Sequence, residues 1–196
     1  MTRPGDSGRQ RSILPAALMV QSAVVVLALL LAWLTGLQPW KDSEYSIKAV
    51  AAAVAATVPL IAVFLFVPAG GHWLWARKMQ AVATRLAALL FSGRIPGTIL
   101  AVSVLAGVGE ELLFRGVIQT WLGQQTSPAL GLIAASVLFG LAHWVSRSYA
   151  VLTAVVGAYL GLLYHLSGNL FIPVVVHALY DWVALHYYLR RADRLA

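Results

Sequence analysis

Six runs of mostly apolar residues, each close to 20 long, leave this chain little choice of fold: roughly 13–35, 47–69, 97–121, 128–146, 149–167 and 170–189. A run of that length matches a hydrocarbon core of roughly 30 Å at about 1.5 Å of rise per helical residue. Composition points the same way. Of the 196 residues, 60% are apolar and 11% charged, with a mean hydropathy of +0.80. That is too little polar surface to clothe a soluble domain of this size, so lipid is the expected solvent. The expected fold class is therefore all-α, a polytopic transmembrane helical bundle. Pro15, Pro96 and Pro128 sit near first turns, where a missing N–H costs least. Asn169 is placed to cap the last span. The first run is longer than the apolar region of a signal peptide and no clear small-x-small site follows, which reads as a retained anchor. No cysteine is present, so disulfide and thiolate chemistry are absent and the redox compartment is left open.

The charge pattern orients the bundle. The net charge is +7. Alternating the six spans from a cytoplasmic N-terminus puts Arg3, Arg9, Arg11, Arg77, Lys78, Arg85, Arg94, Arg147, Arg190, Arg191 and Arg194 on one side, eleven of the fourteen basic residues. Lys41 and Lys48 fall on the other side, and Arg115 lies within a span. The positive-inside rule then places both termini in the cytoplasm of a cell whose inner membrane holds the chain, multi-pass, and the basic pI reports topology rather than nucleic-acid binding. Residues 72–92 differ in kind: Trp75, Met79, Val82, Leu86 and Leu90 recur at helical spacing opposite Arg77, Lys78, Thr84 and Arg85, the pattern of an amphipathic helix lying at the interface. The organisation read from the chain is a disordered N-terminus (1–12), two spans and this amphipathic helix (13–96), a four-helix core (97–190) and a basic tail (191–196). No internal repeat or low-complexity tract interrupts it.

Three of the seven acidic residues, Glu110, Glu111 and Asp181, lie inside apolar runs. Each ionised group near a helix centre costs about 2.5–3.5 kcal/mol on insertion scales, so such residues face the bundle interior, have partners and mark function. Glu111 and Arg115 are four apart and share a helix face, which reads as a structural ion pair. Glu110 is turned about 100° away and needs a partner from another helix. His143, His177 and Asp181 are the available groups, the last two again four apart. By counting, Glu110 lies near mid-membrane and His143 nearer the end of its span, so their meeting requires tilted helices or a shifted third span. His72, His165 and His186 read as boundary residues. Gly157 and Gly161 form a small-xxx-small pair suited to close helix packing.

Glu110-Glu111 with Arg115, Phe139 with His143, and His177 with Asp181 follow one another on separate runs. In this order they resemble the three motifs E-E-x-x-x-R, F-x-x-x-H and H-x-x-x-N of the CPBP family, which holds CAAX proteases and bacteriocin-processing enzymes, including the type II CAAX prenyl endopeptidases. The resemblance covers residues 100–190 and leaves the first two spans unmatched. It implies a glutamate-type intramembrane endopeptidase with no cofactor and no metal. Glu110 and His143 would activate the attacking water, and His177 and position 181 would stabilise the oxyanion. Glu111, Arg115 and Phe139 would support the site. Position 181 departs from the motif. Asparagine can donate a hydrogen bond, whereas an ionised aspartate only accepts. Asp181 either serves protonated or orients His177 by accepting its ring N–H, and the second role is the favoured one.

Two other readings stand beside this one. Glu110, His143, His177 and Asp181 are oxygen and nitrogen donors of the kind zinc accepts, although no H-E-x-x-H pattern occurs. A non-enzymatic membrane scaffold, immunity protein or proton carrier would also use buried carboxylates and histidines. The partners expected on the protease reading are the lipid bilayer and a membrane-associated protein or peptide substrate, with no nucleic acid. Prenylated cysteines, bacteriocin leaders and C-terminal sorting signals fit the motif residues equally. The topology is directly testable: a cytoplasm-active reporter fused after residue 196 is expected to be active, and one inserted at residues 41–44 inactive.

Overall fold

The computed structural model describes residues 13–69, 74–91 and 95–195. The expected N-terminal disorder and His72 lie outside these residues. Among the described residues there is no strand. The helices are α1 (Leu14–Thr35), α2 (Ile47–Ala69), α3 (Leu74–Leu90), α4 (Thr98–Glu111), α5 (Thr120–Gln125), α6 (Pro128–Ala142), α7 (Arg147–Ser167) and α8 (Phe171–Asp193). A π-helical segment, Leu112–Gln119, joins α4 to α5, so the chain is helical without a break from Thr98 to Gln125.

Helix boundaries follow local chemistry. Pro15 sits in the first turn of α1 and Pro128 at the start of α6. Ser127 and Ser146 cap α6 and α7, each hydroxyl oxygen accepting from the backbone N–H three residues on. Before α8 the helix begins one residue later than expected. Asn169 lies outside it, and its side-chain oxygen accepts from the N–H of Phe171 at 3.0 Å.

Three helices are long and apolar enough to cross a membrane by length and composition: residues 14–35, 47–66 and 147–167. α6 is apolar but has only 15 residues. The remaining two of the six expected spans, 97–121 and 170–189, correspond to the helical stretches 98–125 and 171–193 and carry the buried charges or a basic end. The fourth run shortens most: helix stops at Ala142, and residues 143–146 form the turn into α7. At about 1.5 Å per residue α6 is about 22 Å long, less than the roughly 30 Å of a hydrocarbon core. His143 therefore follows the last residue of a helix shorter than the span expected for it.

α6 packs chiefly on α7, and α4 on α8, while α1 lies against α4 and α2 against α8. Two glycines let the first two of these pairs approach closely. A Cβ at Gly107 would lie 2.9 Å from the carbonyl oxygen of Val174, and one at Gly140 would lie 2.5 Å from that of Ala150. Both sit one turn before a residue of the polar cluster. On the far side Phe64 of α2 makes edge-to-face contacts with Tyr180, Tyr187 and Tyr188 of α8.

α3 falls where the spacing predicts an amphipathic helix. Ala76, Gln80, Thr84 and Ala87 are buried, with Ala87 packing near Tyr188 of α8, while Trp75, Val82 and Leu86 are exposed. Small residues allow α3 to approach α8 closely, and Trp75 and Val82 are left on the outer face. The basic tail is largely helix too, since α8 continues through Arg190 and Arg191. Gly140→Val is expected to destabilise the bundle by about 1–3 kcal/mol through overpacking, read as a lowered thermal midpoint in detergent.

Candidate active site

The expected polar residues converge from three helices. Glu110 and Glu111 end α4, His143 follows the last residue of α6, and His177 and Asp181 lie on α8. His143 Nε2 is 3.4 Å and His177 Nε2 is 4.0 Å from the same oxygen, Glu110 Oε2. Asp181 Oδ2 is 3.6 Å from His177 Nε2.

Beneath this cluster lies a buried network centred on Glu111, which is 0% exposed. Its Oε1 accepts from Arg115 Nη1 at 3.0 Å and faces His177 Nδ1 at 2.7 Å. The second guanidinium nitrogen of Arg115 donates to the carbonyl of Gly157 at 2.8 Å, and the group lies 4.6 Å above the Phe139 ring. Phe139 also stands edge-on to Phe114 and His177 and lies against His143 at 4.5 Å between ring centres. One phenyl ring thus touches both histidines and the arginine.

The π segment lets two side chains reach α7. Arg115 bonds to the carbonyl of Gly157, and Gln119 Nε2 donates to that of Gly161 at 2.9 Å. A Cβ at Gly157 would come within 3.3 Å of the Arg115 guanidinium, and one at Gly161 within 2.6 Å of Gln119 Oε1. The small-xxx-small pair read as a packing motif therefore admits polar side chains to the α7 backbone. π turns recur at functional sites because they re-aim side chains in this way. The freed carbonyl of Arg115 accepts from the hydroxyl of Thr120 at 2.9 Å.

Both imidazoles are held by Nδ1 and present Nε2. A carbonyl oxygen can only accept, so the 2.8 Å contact between His143 Nδ1 and the Phe139 carbonyl places a proton on Nδ1. In the neutral ring Nε2 is then an acceptor aimed at Glu110. His177 Nδ1 likewise donates to Glu111. Here the geometry differs from the expected role of Asp181: the carboxylate that bonds the His177 ring is Glu111, and Asp181 stands beyond hydrogen-bond distance on the opposite nitrogen. The reason is positional, since Glu111 already faces α8 from the buried end of α4.

Glu110 has a partner that no motif named. Gln21 of α1 donates from Nε2 to Glu110 Oε1 at 2.9 Å. Glu110 Oε2 is buried and has no hydrogen-bond partner among the described residues. α1 is otherwise apolar apart from Ser22 and Thr35, and the Thr35 hydroxyl bonds its own helix at Leu31. A carboxamide has no such outlet, which is the signal that could have singled out Gln21. Tyr149, Tyr180 and Tyr188 were likewise missed. They join Gln21, Glu110, His143, His177 and Asp181 around a cavity of about 300 Å³, with Met79, Leu86 and Leu90 of α3 along one wall. A tyrosine in an apolar run carries no sequence signal that separates cavity lining from interfacial anchoring.

His165 and His186 stay apart from the cluster. His186 bonds through Nδ1 to the carbonyl of Trp182, one turn back on its own helix. Among the described residues no group of three or more His, Cys, Asp or Glu side chains is arranged to hold a metal ion.

Arg115→Ala would leave Glu111 buried without its guanidinium, and a loss of about 3–5 kcal/mol is expected, visible as failure to accumulate or a sharply lowered thermal midpoint. Arg115→Lys should fall between, because a single ammonium cannot serve Glu111 and the Gly157 carbonyl in the planar geometry of a guanidinium.

Residues 92–183 match the family described as type II CAAX prenyl endopeptidase Rce1-like. An uncharacterised protein of Bacillus subtilis, YpbD, is 37% identical over 97 residues, 48% of this chain and 47% of that protein. The chain thus spans less than half the length of this curated relative. No solved structure matches. The matched segment runs from the residues before α4 into α8 and contains Glu110, His143, His177 and Asp181, while α1, α2 and α3 lie outside it. Its apolar helices and this matched segment together point to an integral membrane protein, similar over residues 92–183 to the Rce1-like CAAX protease family.

Proposed function

We propose that this protein is a glutamate-type intramembrane endopeptidase that hydrolyses a peptide bond of a membrane-associated protein or peptide. The single observation that carries the reading is the buried Glu110 Oε2, unpartnered among the described residues and faced by the Nε2 atoms of two histidines whose other nitrogens are already bonded.

A water held between Glu110 Oε2 and His143 Nε2 gives up a proton as its oxygen attacks the scissile carbonyl carbon. The carbonyl π electrons move to oxygen. His177, protonated on both nitrogens with Nδ1–H on Glu111, donates Nε2–H to that oxyanion. The C–N bond then breaks as the proton taken from water passes to the leaving amine, leaving a carboxylic acid and an amine. General acid–base help of this kind contributes about 10²–10⁴-fold, and a preorganised oxyanion donor about 10²–10³-fold. Asp181, with Oδ2 3.6 Å from His177 Nε2 on the cavity side, places a carboxyl group beside the oxyanion donor. It stands at the position of the motif's asparagine. On this reading the bundle has six spans with both termini in the cytoplasm, and α3 lies at the interface beside the mouth of the cavity.

The test is a comparison of membrane proteomes from cells carrying wild type, Glu110→Gln and His143→Ala at equal protein levels. Both variants are expected to accumulate an uncut membrane-associated precursor, with activity down at least ~10²-fold. Wild-type processing in both would sink the catalytic reading and leave the scaffold. Activity that is lost to chelators and restored by zinc would favour the metalloprotease.

A further inference from the structure

We infer that Gln21 is a positioning residue of this site: by donating to Glu110 Oε1 it reserves Oε2 as the oxygen that takes the proton from water. The inference rests on the proposed hydrolysis and adds to it a residue from α1, a helix outside the family-like segment.

The contact is built into the fold. α1 approaches α4 most closely at Gly109, where a Cβ would lie 2.9 Å from Val25 Cγ2 and 3.5 Å from the carbonyl oxygen of Gln21. Any larger residue at 109 would push α1 outward, one position before Glu110. Gln21 lies one turn before Val25, so the same approach brings its carboxamide to the carboxylate at 2.9 Å. The side chain is half-buried and lines the cavity. A free carboxylate can rotate and offer either oxygen. With Nε2–H bonded to Oε1, the group is held with Oε2 at 3.4 Å from His143 and 4.0 Å from His177. An oxygen already accepting a hydrogen bond is the weaker base of the two, so the proton goes to Oε2. The amide carries no charge, so it orients Glu110 without neutralising it as an arginine would. Once Oε2 is protonated, Oε1 is still a carbonyl-type acceptor and the contact survives the catalytic step.

The experiment uses the full-length protein in phospholipid vesicles, with the precursor that accumulates in Glu110→Gln cells as substrate. Gln21→Met keeps the length and bulk of the side chain and removes the donor. Loss of one hydrogen bond to a charged group corresponds to roughly a 10–100-fold fall in kcat. KM is expected to stay within twofold, and the solvent deuterium isotope effect on kcat to increase, because proton transfer to Glu110 is what slows. Gln21→Asn, whose amide is one methylene shorter, is expected to lose less than Gln21→Met and serves if the latter fails to fold. A Gln21→Met enzyme with wild-type kcat, in a preparation where Glu110→Gln is inactive, overturns the role of Gln21 and leaves the hydrolysis intact. So does a loss that appears in KM or in thermal stability alone. Activity surviving in Glu110→Gln overturns both.

Discussion

Glu111 is the residue on which the rest of the site depends. One of its oxygens receives Arg115 from its own helix and faces His177 from α8, while Arg115 reaches onward to the Gly157 carbonyl of α7. Three helices are thus tied through a carboxylate and a guanidinium that are both almost fully buried. In hydrocarbon, apolar side chains gain little by leaving lipid for one another, so close packing and polar contacts must hold the helices together. A charge there is tolerable when its partner is also buried. The chain matches one anion to one cation and directs a second guanidinium nitrogen to the backbone carbonyl of Gly157, a residue with no Cβ to stand in the way.

The other glutamate shows what a neighbouring position can do with a different environment. Glu110 is one residue earlier in α4, yet it turns toward the cavity, where it meets two imidazoles and one neutral amide rather than a guanidinium. On the proposed reading, adjacent carboxylates thus divide between holding and reacting. The division follows from the 100° step of a helix and from which neighbouring helix lies in each direction. Phe139 links the two halves, since its ring lies under Arg115 and against both histidines.

Much of the site could be read from spacing. Pairs four apart, Glu111 with Arg115 and His177 with Asp181, fall on one helix face whatever the tertiary fold, and an acid stranded in an apolar run announces that it has a partner. The identity of that partner was harder. That Glu111 rather than Asp181 bonds the His177 ring depends on how deeply α4 and α8 interlock at Gly107, a distance no periodicity encodes. Gln21 was hidden for a related reason: its helix carries no motif, and one amide among aliphatic residues looks incidental until another helix brings a carboxylate to it. The early end of α6 was concealed because Trp144 and Val145 continue the apolar run past the point where backbone bonding stops. Which residues of α3 pack on α8 was not legible either, because amphipathicity reports two faces without saying which neighbour each one meets.

The brevity of α6 has a bearing on what the proposed enzyme can cut. A regular helix conceals each amide behind the side chains and bonds of adjacent turns, and a water held beside the tip of a truncated rod would not prise it open. On the proposed reading, the polypeptides within reach would be those already uncoiled where they pass the mouth beside α3. Discrimination among clients would then depend on local melting of a segment, and much less on the side chains that flank the cleaved bond.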